Sequence, residues 1–380
     1  MNTRLVLFGG VLGAVIILGC GANRPPLNVV PDESEIYSGY KGDISRSGYT
    51  GTNEDIDLNP LWRIKFRYPL FYQPAMAGGF IFQPGSDKKI HVVDVNTGNE
   101  VAEIKLRRHI GTTPELSGPY MAICEEGERS ELLVINYLEG KLLWSAKTER
   151  VCFQPAIYNN RIFWVDGRNR INAAELANGE QVWSQKYHAG FDTGPIVAGN
   201  RILATTADSV ILCFDTDSGD ILWQTQAHGR TNSSPACFDD KLYICNGDGK
   251  VTCHDITTGN LLWSHDAGAR LFYSPSVDSE GIYFGDGYGR FVKLDRLKGE
   301  EIWRFDTEAP IRGTALVNSR AVIFSSLDYT VYFLDKYTGR PITSYVAGGI
   351  ISAAPVLHKD KLFIAAQDKF LQCFSLEGEE

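Results

Sequence analysis

The residue types that most often carry chemistry in this chain are eight cysteines, seven histidines and a set of aspartates recurring in turns. Structural or catalytic zinc would call for Cys-x-x-Cys pairs, His-x-x-His or His-Glu-x-x-His, and none of these spacings occurs. The segment DTDSGD, Asp215 to Asp220, has two aspartates at calcium-loop spacing. Its glycine and next aspartate then come in the wrong order, and Gln226 stands where the closing glutamate belongs. There is no Gly-x-Ser-x-Gly elbow, no P-loop and no pair of adjacent cysteines. Cys213, Cys253 and Cys373 each lie 18 residues after a proline, at equivalent sites. Packed sheets are about 10 Å apart and a disulfide needs Cα atoms within about 7 Å, so these three are expected to be small buried hydrophobes rather than partners. The residues therefore predict no catalytic group, no cofactor-binding residue and no metal ligand.

What positions these side chains is a repeat. Glycine recurs at 98, 140, 179, 219, 259, 299, 339 and 378, a period of 39 to 42 residues over eight copies. That is the length of a four-stranded propeller blade. Within each copy, four short runs rich in Val, Ile, Leu, Phe and Tyr are closed by Gly, Asn or Asp turns, the pattern of strands joined by hairpins. Pro74, Pro114, Pro155, Pro195, Pro235, Pro275 and Pro355 open the first strand, with Ala315 the exception. Proline suits a strand start, where a ladder donor can be missing.

Four residues after the turn glycine stands tryptophan: Trp144, Trp183, Trp223, Trp263 and Trp303, with Ala102 and Thr343 in the two copies that lack it. A large aromatic at one recurrent site predicts docking against the neighbouring blade. Burying roughly 150–250 Å² each, at about 25 cal/mol/Å², gives on the order of 4–6 kcal/mol gross per indole as an upper bound. The copies with Ala102 and Thr343 are expected to be the least firmly docked. After Gly378 only two residues remain, so the eighth copy lacks its fourth strand. The segment NPLWRIKF, Asn59 to Phe66, carries Trp62 in the matching frame. The expected fold is thus all-β: an eight-bladed β-propeller of four-stranded blades, closed by the N-terminal strand completing the last blade, which removes two sheet edges.

The chain is 43% hydrophobic and 22% charged with a formal charge of −9, an ordinary globular composition and a poor match to nucleic-acid backbone. Residues 1–19 read as a signal peptide: MNTR is a short basic start, and Leu5 to Leu18 is a 14-residue apolar run too short to span a bilayer. Its closing ILGC resembles the bacterial lipoprotein box, with Leu18 bulkier than usual, which implies lipidation of Cys20 and membrane anchoring by its acyl chains. No Asp follows Cys20, which favours the outer membrane. Residues 20–36, with three prolines and no periodicity, read as a lipidated tether, and 37–380 as the propeller.

The Asp-x-x-Thr-Gly-x-x-x-Trp turns, as in DTDSGDILW and DITTGNLLW, resemble the pyrroloquinoline-quinone (PQQ) type propeller repeat. With the lead-in YKGDISRSG and the lipobox, the arrangement resembles the BamB family of outer-membrane assembly lipoproteins. The resemblance implies a non-catalytic scaffold, monomeric and facing the periplasm, whose partner is the barrel-inserting outer-membrane protein. Two other readings stay open: a PQQ-dependent dehydrogenase, whose alcohol-oxidising members carry a Cys-Cys pair absent here, and a propeller that binds a wall polymer.

In a four-stranded blade the second-to-third turn and the blade-to-blade crossover share one face. Asp87, Asp208, Asp248, Asp328 and Asp368 fall in those turns, and Arg150, Arg230 and Arg270 fall in the crossovers with Phe71, Tyr72, Phe153, Phe272 and Tyr273. Turn chemistry and a solvated rim account for each residue singly. Together they are a candidate partner-binding face, since aromatics and arginine concentrate binding energy.

Overall fold

Each forty-residue copy folds into one antiparallel sheet whose strands follow chain order from the ring axis outward. The computed structural model describes the strand at 14–17 and residues 58–376, other than 150, 152 and 232. Blade 4 is representative: Ile196–Ala198, Arg201–Thr205, Val210–Asp215 and Ile221–Gln226 pair in sequence. The second and third strands are buried nearly throughout, whereas the outer strand alternates exposed and half-buried positions. That alternation follows from the two-residue period of a strand with one face in the core.

The register places Leu203, Cys213 and Trp223 side by side across the blade. In all eight blades the register shifts by one between third and outer strand, next to the tryptophan position. A bulge at this point bends the outer strand and increases its twist. The eighth blade comprises Val356–His358, Lys361–Ala365 and Phe370–Ser375, completed by Asn59–Lys65 running antiparallel with Trp62 opposite Cys373. The ring thus closes with the strand expected from the sequence.

Two additions were not anticipated. Ala14–Ile17 runs parallel to the outer strand of blade 1, Glu100–Lys105. His109–Ile110 makes an extra antiparallel pair with the second strand of blade 2, Tyr120–Glu126. The remainder of the expected leader and tether, with Cys20, lies outside the described residues.

Blades are joined by one repeated contact. Trp62, Trp144, Trp183, Trp223, Trp263 and Trp303 each donate their indole N–H to a backbone carbonyl 32 or 33 residues on, at Val95, Leu176, Thr216, Ile256, Arg296 and Lys336. Each indole also lies on the turn glycine of that next blade, where an added Cβ would come within 2.5–2.7 Å of the ring. The glycine is therefore required twice over, by its positive φ and by the ring. Where Ala102 leaves no indole, Tyr137 of blade 2 meets Phe82 of blade 1 edge-on at 4.9 Å. Where Thr343 stands, Tyr345 meets Phe374 of blade 8 at 4.8 Å and donates its hydroxyl to Gln372. Tyrosines thus supply the aromatic contact at the two seams the sequence marks as weakest.

Candidate functional site

The turns and crossovers are tied together on one face by backbone bonds. Gly247 N–H donates to Arg230 O at 2.8 Å, Gly287 to Arg270 at 3.2 Å and Leu327 to Pro310 at 3.0 Å. Among the described residues the exposed aromatics are Tyr68, Phe71, Phe272, Tyr288, Tyr329 and Tyr337. All but Tyr337 belong to crossovers or to second-to-third-strand turns. Tyr288 and Tyr329, which sit in the turns of blades 6 and 7, were not singled out in the sequence. Nothing in the repeat distinguishes a turn tyrosine that faces solvent from one that packs.

At the axis end of this face a cavity of about 300 Å³ is bounded by the segments that lead into the first strands. Tyr72, Phe153, Phe272 and Tyr273 supply aromatic walls, and Thr112, Gln154, Thr193 and Ser233 supply polar ones. Asp192 is the cavity's one carboxylate among the described residues, and Arg230 holds it with Nη2 to Oδ1 at 2.9 Å and Nε to Oδ2 at 3.3 Å. Among the described residues the lining thus offers one carboxylate, already held by Arg230, beside neutral hydroxyl and amide oxygens.

The sequence-selected residues divide accordingly. Phe272 and Tyr273 line the cavity and Arg230 reaches it through Asp192. Arg270 is exposed on the same face, and Arg150 lies outside the described residues. The turn aspartates are mostly engaged locally: Asp208 accepts from His188 at 2.8 Å and from the Thr206 hydroxyl at 2.5 Å. Although burial raises the Asp208 carboxyl's pKa, those two bonds outweigh it and hold it below the usual carboxylate value. Asp328 accepts from the Tyr332 hydroxyl at 2.8 Å, and Asp368 pairs with Arg63 at 3.4 Å. Asp248 sits against Gly229, where an added Cβ would lie 2.6 Å from its Oδ2.

A second polar cavity of about 410 Å³ opens at the seam between blades 8 and 1, lined by Lys65, Phe66, Arg67, Tyr68, Asp87, Lys89, His91, Glu100 and Glu103. His91 Nδ1 lies 2.7 Å from Glu100 Oε1, and its Nε2 lies 3.2 Å from Asp87 Oδ1. Burial alone would lower the imidazole's pKa, but the two carboxylates more than reverse this and raise it to about 9. The sequence hides this group because its members come from two strands and a turn. The hairpin register sets His91 directly opposite Glu103.

The cysteines fall into two classes. Cys213, Cys253 and Cys373 are free and buried, and burial pushes each thiol's pKa up to about 12. Cys124 is disulfide-bonded.

No curated protein matches the sequence significantly. Among solved structures, BamB from Moraxella catarrhalis superposes with a TM-score of 0.70 at 15% identity, covering 84% of this chain and 100% of that one. The quinohemoprotein alcohol dehydrogenase from Comamonas testosteroni gives 0.78 at 11% identity, over 92% of this chain and 82% of that one. A computationally designed protein, Ika8, gives 0.72 at 15% identity, over 83% and 99%. An assembly factor, an enzyme and a designed ring share this architecture, so the likeness to them shows the fold alone. The sequence itself is more specific: the model of the family described as outer membrane protein assembly factor BamB matches residues 129–271 and 247–371. These matches span more than half of the chain, which belongs to that PQQ-repeat propeller family.

Proposed function

We propose that this protein is a non-catalytic, lipid-anchored scaffold of the bacterial outer membrane. Its crossover face docks a protein partner, the periplasmic part of the barrel-inserting outer-membrane protein. The observation that carries this reading is the gathering of Tyr68, Phe71, Phe272, Tyr288 and Tyr329, exposed, on the face that also bears Arg230 and Arg270. Aromatics and arginines on a rigid platform are the residue types that anchor interfaces. The family description, which concerns outer-membrane protein assembly, and the lipobox ending at Cys20 agree with it.

The test is an affinity pull-down of the lipidated chain from detergent-solubilised envelopes, comparing wild type with a Phe272→Ala, Arg270→Glu double variant. Arg230 is left intact because it holds Asp192. Recovery of the barrel-inserting protein by wild type, and at least tenfold less by the variant with an unchanged melting temperature, is the expected result. Equal recovery by both would place the docking surface elsewhere.

The axial cavity favours one second reading, the capture of a small neutral ligand such as a wall-glycan fragment between Tyr72, Phe153 and Tyr273. Quenching of intrinsic fluorescence on titration with uncharged N-acetylglucosamine oligomers, absent from Phe153→Ala, would support it.

A further inference from the structure

The seam cavity between blades 8 and 1 contains a ligand set that no part of the docking reading uses. His91, on the third strand of blade 1, and Glu100 and Glu103, on its outer strand, each offer one donor atom, and these atoms lie within 4.8 Å of one another. On the far side of the imidazole, Asp87 Oδ1 lies 3.2 Å from Nε2. This is the carboxylate to histidine to metal arrangement, in which a second carboxylate fixes the tautomer and orientation of a ligating ring. Gly85 makes the approach possible, since a Cβ there would stand 2.4 Å from Asp87 Oδ1 and 2.8 Å from His91 Nε2. Phe66, just past the ring-closing strand, packs on the imidazole at 4.8 Å between centroids. The ring is thus held on three sides, with its Nδ1 turned to the glutamates.

We infer that His91, Glu100 and Glu103 form a binding site for one divalent transition-metal ion of the Zn²⁺ class, with Asp87 as the positioning carboxylate. One imidazole and two carboxylates suit an ion of intermediate hardness, whereas Ca²⁺ and Mg²⁺ prefer oxygen alone. As the chain stands, the Lys89 ammonium lies 2.6 Å from Glu103 Oε1 and holds that carboxylate. A dication bound by the three ligands takes Glu103 from Lys89. Lys89 is therefore a built-in competitor, and removing it strengthens binding. The three ligands line the seam cavity, whose wall also carries Lys65 and Arg67.

The test is isothermal titration of chelator-treated full-length protein with Zn²⁺ at pH 7, with Mg²⁺ and Ca²⁺ as comparison ions. One equivalent of Zn²⁺ is expected, bound at least tenfold more tightly than either comparison ion. His91→Gln and Glu103→Gln should each weaken it tenfold or more, and Lys89→Met should tighten it. Glu103 is on the blade's outer strand, so its variant serves if His91→Gln does not fold. The inference is overturned if wild type binds no Zn²⁺ at 100-fold molar excess, if both folded variants bind as wild type does, or if Mg²⁺ or Ca²⁺ binds as tightly as Zn²⁺.

Discussion

At the residue scale, the turn glycines and the histidine beside one of them show how tightly this fold constrains single positions. Gly259 has φ +76°, and the Trp223 ring would lie 2.5 Å from an added Cβ. Gly259→Ala therefore combines left-handed strain of about 1–2 kcal/mol with the overpacking cost of moving an indole, about 1–3 kcal/mol. Gly140 also has positive φ, 64°, but the preceding blade offers Ala102 instead of tryptophan. Gly140→Ala should lose only the first part, and denaturant titration of the two variants would separate the contributions. His254 is fully buried, with Nδ1 3.2 Å from Gly259 O and Nε2 3.2 Å from Thr252 Oγ1. Burial lowers its pKa below the ordinary histidine value of 6.5. The unfolded chain thus takes up a proton near pH 6.5 that the folded chain refuses, so this group's contribution is present above pH 6.5 and lost as pH falls. The slope is at most about 1.4 kcal/mol per pH unit. Stability measured from pH 7.5 to 5.5 should fall more steeply for wild type than for His254→Gln.

At the element scale, the blades act as separate sheets stapled at defined points. Trp223 alternates inward on an otherwise half-exposed strand and joins blade 4 to blade 5 through Ile256 O. Trp223→Phe keeps an aromatic ring and loses the hydrogen bond, at about 1 kcal/mol. Trp223→Ala loses both and should cost about 3–5 kcal/mol in chemical denaturation. Blades 6 and 7 carry a further staple, in which Lys336 Nζ pairs with Asp278 Oδ2 at 2.9 Å with both side chains buried. Tyr283 donates its hydroxyl to Asp278 Oδ1, and Lys293 donates to Lys336 O. Removing one member of such a pair leaves a buried charge without its partner, so Lys336→Met should destabilise by about 3–5 kcal/mol.

At the scale of the whole molecule, the closing strand Asn59–Lys65 joins the two ends of the chain through blade 8. A protein lacking residues 1–66 would expose the edge of Phe370–Ser375 and lose Trp62 from its place on Gly98. Open edges recruit other edges. This truncation should elute as aggregate or unfold well below the intact chain, whereas removal of residues 1–57 should leave a monomeric ring. Size-exclusion chromatography with calorimetry distinguishes the two. A truncation to residue 66 that stays monomeric with an unchanged melting temperature would show that the ring does not depend on this clasp.

The period of the glycines, the tryptophan frame and the missing last strand were enough to derive the eight blades and their closure from sequence. These features are local and repeated, so each copy corroborates the others. The residues that make one blade unlike the next were legible only in part. Phe272, Tyr273 and Arg230 could be assigned to one face from their place in the repeat. That Asp192 holds Arg230, that tyrosines fill the seams at Ala102 and Thr343, and that His91 meets Glu100, Glu103 and Asp87 depended on register, bulge and blade packing. A repeat determines what every blade shares, because backbone pairing and turn geometry are set within forty residues. Side chains from different strands or blades converge through distances that sequence spacing does not encode, and only the tertiary structure decides them.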